Sequence, residues 1–128
     1  MKHKSVLKYL LLAGAVYFTA VALAHLVAKK IPGLFIYYNV PSTRYQDQII
    51  SFLAFGWASF FFAVSNNLKM IWYLLVAGIV AVAAVANINI TNDFRQLAGV
   101  GETPFWIQTA VLSIYAISLI IFALKQEK

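Results

Sequence analysis

Most of the polar side chains that could bind a ligand are confined to two short segments of an otherwise apolar chain. One contains Arg44 and Asp47, and the other runs from Asn87 to Arg95. Imidazole, guanidinium, carboxylate and amide groups bind ligands through hydrogen bonds and ion pairs. If these groups lie together at one end of a helical bundle, they form a shallow polar pocket. Asparagine and aspartate also cap turns and helices, so a purely structural role stays open. The candidate residues for a pocket or a salt-bridge cluster are His25, Arg44, Asp47, Asn87, Asn89, Asn92, Asp93 and Arg95.

Opposite charges within this set are predicted to link the two segments. Arg44 and Asp47 are three residues apart, a spacing that places both on one face of a helix. We expect one of two cross-pairs between the segments: Arg44 with Asp93, or Asp47 with Arg95. Asn87 is the amide most expected to need a partner, because it lies before the polar turn, where the membrane is still close.

No arrangement typical of an enzyme or a metal site is visible. The chain has no cysteine, which excludes disulfides and thiolate chemistry. His3 and His25 are the two histidines, and they lie at opposite ends of one apolar run, whereas metal and haem sites need several ligands at matched spacing. We therefore assign no catalytic residue, no metal ligand and no cofactor; whether the protein is an enzyme stays uncertain, and an enzyme is the least favoured class.

The composition indicates that lipid surrounds the chain. Of the 128 residues, 62% are hydrophobic and 11% are charged, whereas about 25% of residues are charged in ordinary soluble domains. Four apolar runs can each supply the roughly 20 helical residues that cross a bilayer. The predicted fold is a single all-α domain, a four-helix transmembrane bundle with helices at about 5–28, 44–65, 68–90 and 104–125.

Local signals set the boundaries of the helices. Thr43 followed three residues later by Gln46 has the spacing of a capping box and predicts a second helix that begins near Arg44. Thr103 and Pro104 predict the start of the fourth helix. Aromatic residues favour the headgroup region, so the first loop is expected to lie along the membrane surface. Its aromatic residues are Phe35, Tyr37, Tyr38 and Tyr45.

Small residues at four-residue spacing predict where the helices approach one another. Ala20, Ala24 and Ala28 form such a stripe in the first helix, and Ala54 and Ala58 in the second. The third helix has the densest set and is therefore expected to be central. The aromatic residues of the second helix are expected to face lipid or a partner. The two sets are Ala77, Gly78, Ala81 and Ala84 in the third helix, and Trp57, Phe60, Phe61 and Phe62 in the second.

The net charge of +6 is distributed at the ends of the apolar runs, a pattern of membrane anchors that argues against nucleic-acid binding. Counting basic residues in the short loops predicts that both termini are cytoplasmic. A bacterial inner membrane is the expected location, and the absence of cysteine is compatible with it. One side carries Lys2, Lys4, Lys8, Lys69, Lys125 and Lys128, and the other carries Lys29, Lys30, Arg44 and Arg95. Residues 1–24 also fit a cleavable signal peptide, which is the alternative to a retained first helix.

The arrangement resembles the DoxX-like group of small bacterial four-helix membrane proteins. The likeness covers a basic N-terminus, a first loop that ends in "RYQDQIISFLAFGWASFFF", a third helix rich in small residues and a fourth led by proline. No residue-level motif carries over, and that group is functionally diverse. The resemblance therefore implies a four-helix membrane fold without implying a particular activity.

Two functions are compatible with these features. The first is a non-catalytic accessory or structural subunit that binds other membrane subunits or itself, which is supported by the predicted outward aromatic and small-residue stripes. The second is the binding or transport of a small molecule or lipid through a polar pocket at the non-cytoplasmic rim. Both have the lipid bilayer as their surroundings, and neither involves nucleic acid.

Overall fold

The computed structural model describes residues 2–35, 37, 40–91, 94–96 and 101–126, with side chains from residue 3 onwards. This part of the chain is helical and contains no strand. Four of its helices have the length and the apolar composition needed to cross a membrane. The helices are α1 (Lys2–Leu26), α2 (Arg44–Asn66), α3 (Ile71–Ile90) and α4 (Thr103–Gln126), and a single 3₁₀ turn (Leu68–Met70) leads into α3.

The ends of α1 and α2 follow from local hydrogen bonding. The predicted capping box is confirmed: the Thr43 hydroxyl accepts from the Gln46 amide, and the Gln46 side chain accepts from the Thr43 amide at 2.8 Å. α1 ends two residues earlier than predicted. Ala28 adopts a left-handed conformation (φ 53°), and the Lys29 amide donates back to the Ala24 carbonyl at 2.9 Å, as in a Schellman motif.

α1 makes the most extensive contacts of the four helices. It packs along the length of α2 and also contacts α4, whereas α3 packs mainly on α4. The Ser51 hydroxyl donates to the Ala22 carbonyl at 2.7 Å, and the Tyr115 hydroxyl donates to the Leu10 carbonyl at 2.7 Å. These contacts join α1 to both neighbours, and α1 runs antiparallel to each of them.

Gly14 marks a close approach of α1 to both neighbours. A Cβ atom added there would lie 2.6 Å from Phe61 of α2 and would also collide with the Tyr115 hydroxyl of α4. Phe61 is buried and stacks against Phe18. The prediction that the aromatic run of α2 faces outward is therefore wrong for Phe61, although Phe62 is exposed.

The small-residue stripes predicted only part of this packing. Ala24, Ala54 and Ala58 are buried, as expected for contacts between α1 and α2. The prediction that α3 is central is wrong: Ala84 is exposed, and nothing lies within 4 Å of a Cβ atom built on Gly78. Small residues permit close packing, but they do not determine which helix supplies the opposing surface.

The outward surfaces of the helices are strongly apolar. Large hydrophobic side chains are exposed along all four helices, including Val16, Phe52, Val80 and Ile114. In water such continuous apolar surfaces would be costly, because each exposed square ångström contributes about 25 cal/mol. Hydrocarbon tails would remove that cost, so the surface agrees with the composition.

Candidate functional site

A buried histidine–carboxylate pair joins the end of α1 to the first turn of α2. Nδ1 of His25 lies 3.2 Å from Oδ1 of Asp47, and both side chains are almost completely shielded. Removing ionisable groups from water is unfavourable unless they are paired, and an apolar pair could often hold two helices equally well. A pair of this kind is therefore more informative about function than about stability.

Ser42 completes the hydrogen bonding of the carboxylate. Its hydroxyl lies 3.2 Å from each oxygen of Asp47, to which it donates. Ser42 immediately precedes the capping residue Thr43, so the same turn that starts α2 also positions this hydroxyl. Asp47 itself lies near the N-terminus of α2, where the helix dipole stabilises a negative charge.

The first loop folds back over the pair. The Phe35 ring stacks on His25 with 3.6 Å between the ring centroids and 17° between the planes. Tyr17 of α1 holds the preceding residues in place, because its hydroxyl donates to the Gly33 carbonyl at 2.6 Å. Phe35 was expected at the lipid headgroups, but it is 2% exposed and packs against the protein. Its ring is buried by stacking on the imidazole.

These residues form the wall of a cavity of about 510 Å³. Most of the lining is apolar, and the polar groups are concentrated around His25, Asp47 and Ser42. The lining residues are Val21, His25, Leu34, Phe35, Tyr37, Val40, Pro41, Ser42, Gln46, Asp47, Ile49 and Ile50. Ligand sites in proteins commonly have this character, with an apolar wall and a few placed polar groups, and their volumes are about 300–1,000 Å³.

The hydrogen bonds at the cavity leave one imidazole nitrogen of His25 free of the carboxylate and place the Ser42 hydroxyl on Asp47. Asp47 occupies Nδ1 of His25, so Nε2 is the ring nitrogen left for a ligand, as an acceptor in the neutral ring or a donor in the protonated one. Ser42 donates to Asp47 and not to His25, whereas a serine nucleophile needs its hydroxyl on the base. Among the described residues there is also no group of three or more side chains that could hold a metal ion.

A second polar cluster connects α3, α4 and the first loop. Asn89 is fully buried and donates to the Thr109 hydroxyl at 2.9 Å. The Tyr37 hydroxyl makes a long hydrogen bond, 3.4 Å, to the Asn89 amide oxygen. Burial raises the pKa of Tyr37 above its usual value, so this hydroxyl stays protonated and donates. Tyr37 also packs against Phe105, so it ties the cavity wall to the other half of the bundle.

The structure brings together only some of the predicted site residues. His25 and Asp47 meet, whereas Arg44, three residues before Asp47, is exposed. Asn89, not Asn87, is the buried amide, because Asn87 lies on the exposed side of α3. Asn92 and Asp93 lie outside the described residues, and with them the predicted pair between Arg44 and Asp93.

The predicted pair between Asp47 and Arg95 is wrong. Asp47 contacts His25, and Nε of Arg95 instead lies 2.8 Å from Oε1 of Glu102, across the third loop. Arg95 and Glu102 are close in sequence and solvent-accessible, so they pair without removing Asp47 from its buried position. Among the described residues at the polar end of the bundle, Asp47 and Arg95 therefore belong to two separate pairs.

Sequence reasoning missed four residues of these clusters: Ser42, Phe35, Tyr37 and Thr109. The signal for Ser42 was its place beside the capping residue, and that for Thr109 was a hydroxyl within an apolar run. No comparable signal identified Phe35 or Tyr37, since aromatic residues in a loop of a membrane protein favour the headgroup region equally well.

Comparison with known protein families gives no matching family, and comparison with curated proteins and with solved structures gives no match either. The resemblance to the DoxX-like group therefore remains a likeness of arrangement.

Proposed function

We propose that this is an integral membrane protein that binds a small amphipathic molecule in the cavity beside His25. The observation that carries the proposal is the buried pair of His25 and Asp47 in the wall of an otherwise apolar cavity. Ionisable groups shielded from water are costly, and perturbing environments of this kind are common at functional sites. The ligand would place an apolar body against Ile49 and Ile50 and a hydrogen-bonding group near the imidazole.

The distribution of charge supports an orientation for this site. The basic residues favour both termini in the cytoplasm of a bacterial cell, with the four helices crossing the inner membrane. The cavity then opens at the non-cytoplasmic face, together with Arg44 and Arg95. The first loop would lie at that surface, with Tyr45 exposed toward the headgroups.

The accessory-subunit function is the second candidate. Its support is an open groove of about 520 Å³ between α3 and α4, whose lining includes Ala83, Ala110 and Ala116. Small residues of this kind allow another helix to approach closely. The support is weaker than expected from the sequence, because Phe61 packs inside the bundle and not on its surface.

Blocking the cavity tests the proposal. Ile49→Trp/Ile50→Trp places two large rings in the cavity wall, and we expect the occupancy of a co-purifying small molecule to fall at least about tenfold, equivalent to about 1.4 kcal/mol. The measurement is native mass spectrometry after extraction with a copolymer that retains native lipid.

Phe52→Trp/Leu53→Trp is the matched control, because both positions are exposed on α2 and neither lines the cavity. The wild type and the control should retain the same bound mass. Equal occupancy in all three proteins, or no bound molecule in the wild type, would refute the cavity proposal. A stoichiometric protein partner in place of a small molecule would favour the accessory function.

A further inference from the structure

A second cavity lies at the other end of the bundle, about one helix length from His25. Its volume is about 270 Å³, and it is formed where the start of α1, the turn before α3 and the end of α4 meet. The lining residues are Lys4, Leu68, Lys69, Ile71, Trp72 and Gln126. In the orientation proposed above, this cavity faces the cytoplasmic leaflet.

Two ammonium groups line this cavity from different elements. Lys4 comes from the first turns of α1 and Lys69 from the 3₁₀ turn before α3. The ion pairs formed by the described residues use other side chains, namely His25 with Asp47 and Arg95 with Glu102, at the opposite end of the bundle. Neither lysine therefore has a described carboxylate partner, and the lining carries positive charge.

The remaining lining suits the region where a lipid headgroup meets its acyl chains. Leu68 and Ile71 are apolar, and Trp72 is partly exposed beside them. Tryptophan rings favour the level of the headgroups in a bilayer. The Gln126 side chain adds a group able to donate to an oxygen atom.

We propose that this cavity binds the phosphate of an anionic phospholipid from the cytoplasmic leaflet. Lys4 and Lys69 would contact the phosphate oxygens, and Trp72 would lie against the glycerol and the first methylene groups. Basic pockets between transmembrane helices on the cytoplasmic side bind such headgroups by this chemistry. The inference rests on the proposed membrane placement and orientation, but it does not require a ligand in the cavity beside His25.

The test uses the full chain in a mild detergent with short-chain dihexanoyl lipids as probes. Native mass spectrometry should show retention of phosphatidylglycerol over phosphatidylcholine in the wild type. Lys4→Gln/Lys69→Gln should weaken phosphatidylglycerol binding by up to about 25-fold, since an ion pair between an exposed lysine and the phosphate contributes up to about fivefold. Occupancy of the cavity beside His25 should not change in this variant.

Lys8→Gln/Lys125→Gln is the matched control, because it removes the same charge from the same end of the bundle without altering the lining. This control should weaken binding by no more than about twofold, since its lysines are outside the cavity. Equal losses in the two variants would show diffuse attraction and overturn the proposal. Equal retention of the two lipids would also overturn it, as would displacement of the lipid by millimolar inorganic phosphate, which would assign the cavity to the free ion.

Discussion

His25→Phe is expected to lower the free energy of unfolding by about 1.5–3 kcal/mol, the usual cost of removing a buried hydrogen bond to a charged group. The new ring can still stack on Phe35, as the imidazole does at 3.6 Å, so little packing is lost. The cost arises at Asp47, whose carboxylate remains buried with the Ser42 hydroxyl but without the imidazole. Titration of the purified protein with a denaturing detergent, followed by helical circular dichroism, would measure the change.

The double variant His25→Phe/Asp47→Leu separates stability from function. Leucine has nearly the shape of aspartate, and a well-packed apolar pair replaces a buried ion pair at little or no cost. We therefore expect stability within about 1 kcal/mol of the wild type, together with loss of the molecule bound in the cavity. A double variant as unstable as His25→Phe alone would show that the pair is principally structural and would contradict the functional interpretation.

Gly14→Ala is expected to destabilise the protein by about 1–3 kcal/mol, although alanine favours a helix by about 1 kcal/mol over glycine. The added Cβ atom would lie 2.6 Å from Phe61 and would collide with the Tyr115 hydroxyl. Phe61 is buried among other rings and cannot move away easily. Gly14→Leu should be worse and should separate α1 from both α2 and α4.

Gly78→Ala provides the matched control for this prediction. Gly78 is also within a helix, but nothing lies within 4 Å of the added Cβ atom. This substitution should leave stability unchanged or raise it by up to about 1 kcal/mol through helix propensity alone. The same denaturing titration measures both variants. Equal effects at Gly14 and Gly78 would contradict the close approach of the three helices.

The sequence was sufficient to locate the helices but not to arrange them. Apolar runs and the capping box at Thr43 placed the helix boundaries to within a few residues, because both signals are local. The choice of the central helix failed because α3 is apolar on all sides, so its sequence does not indicate which face is packed. The prediction for Asn87 rests on its position before the polar turn, and position along a helix does not indicate which face a residue occupies. Two residues along a helix differ by about 200° in direction, which places them on nearly opposite faces.

The candidate site was predictable in its position but not in its contacts. His25 and Asp47 were both assigned to one end of the bundle, and they do meet there. Their pairing was missed because opposite formal charges favoured an arginine partner for Asp47. The packing of α1 against α2 brings the His25 imidazole to the buried Asp47 carboxylate, and the Arg95 guanidinium pairs with Glu102. Such a choice depends on tertiary distances that residue spacing does not contain.

The absence of cysteine from the chain makes the membrane placement directly measurable. Single substitutions Arg44→Cys, Arg95→Cys and Lys69→Cys, all at exposed positions, can each be labelled with a membrane-impermeant maleimide. We predict that positions 44 and 95 react in intact cells with a permeable outer membrane, and that position 69 reacts only after lysis. Reaction of positions 44 and 95 from opposite sides, or of all three positions from the same side, would contradict a bundle that crosses the bilayer four times with its polar cavity at one face.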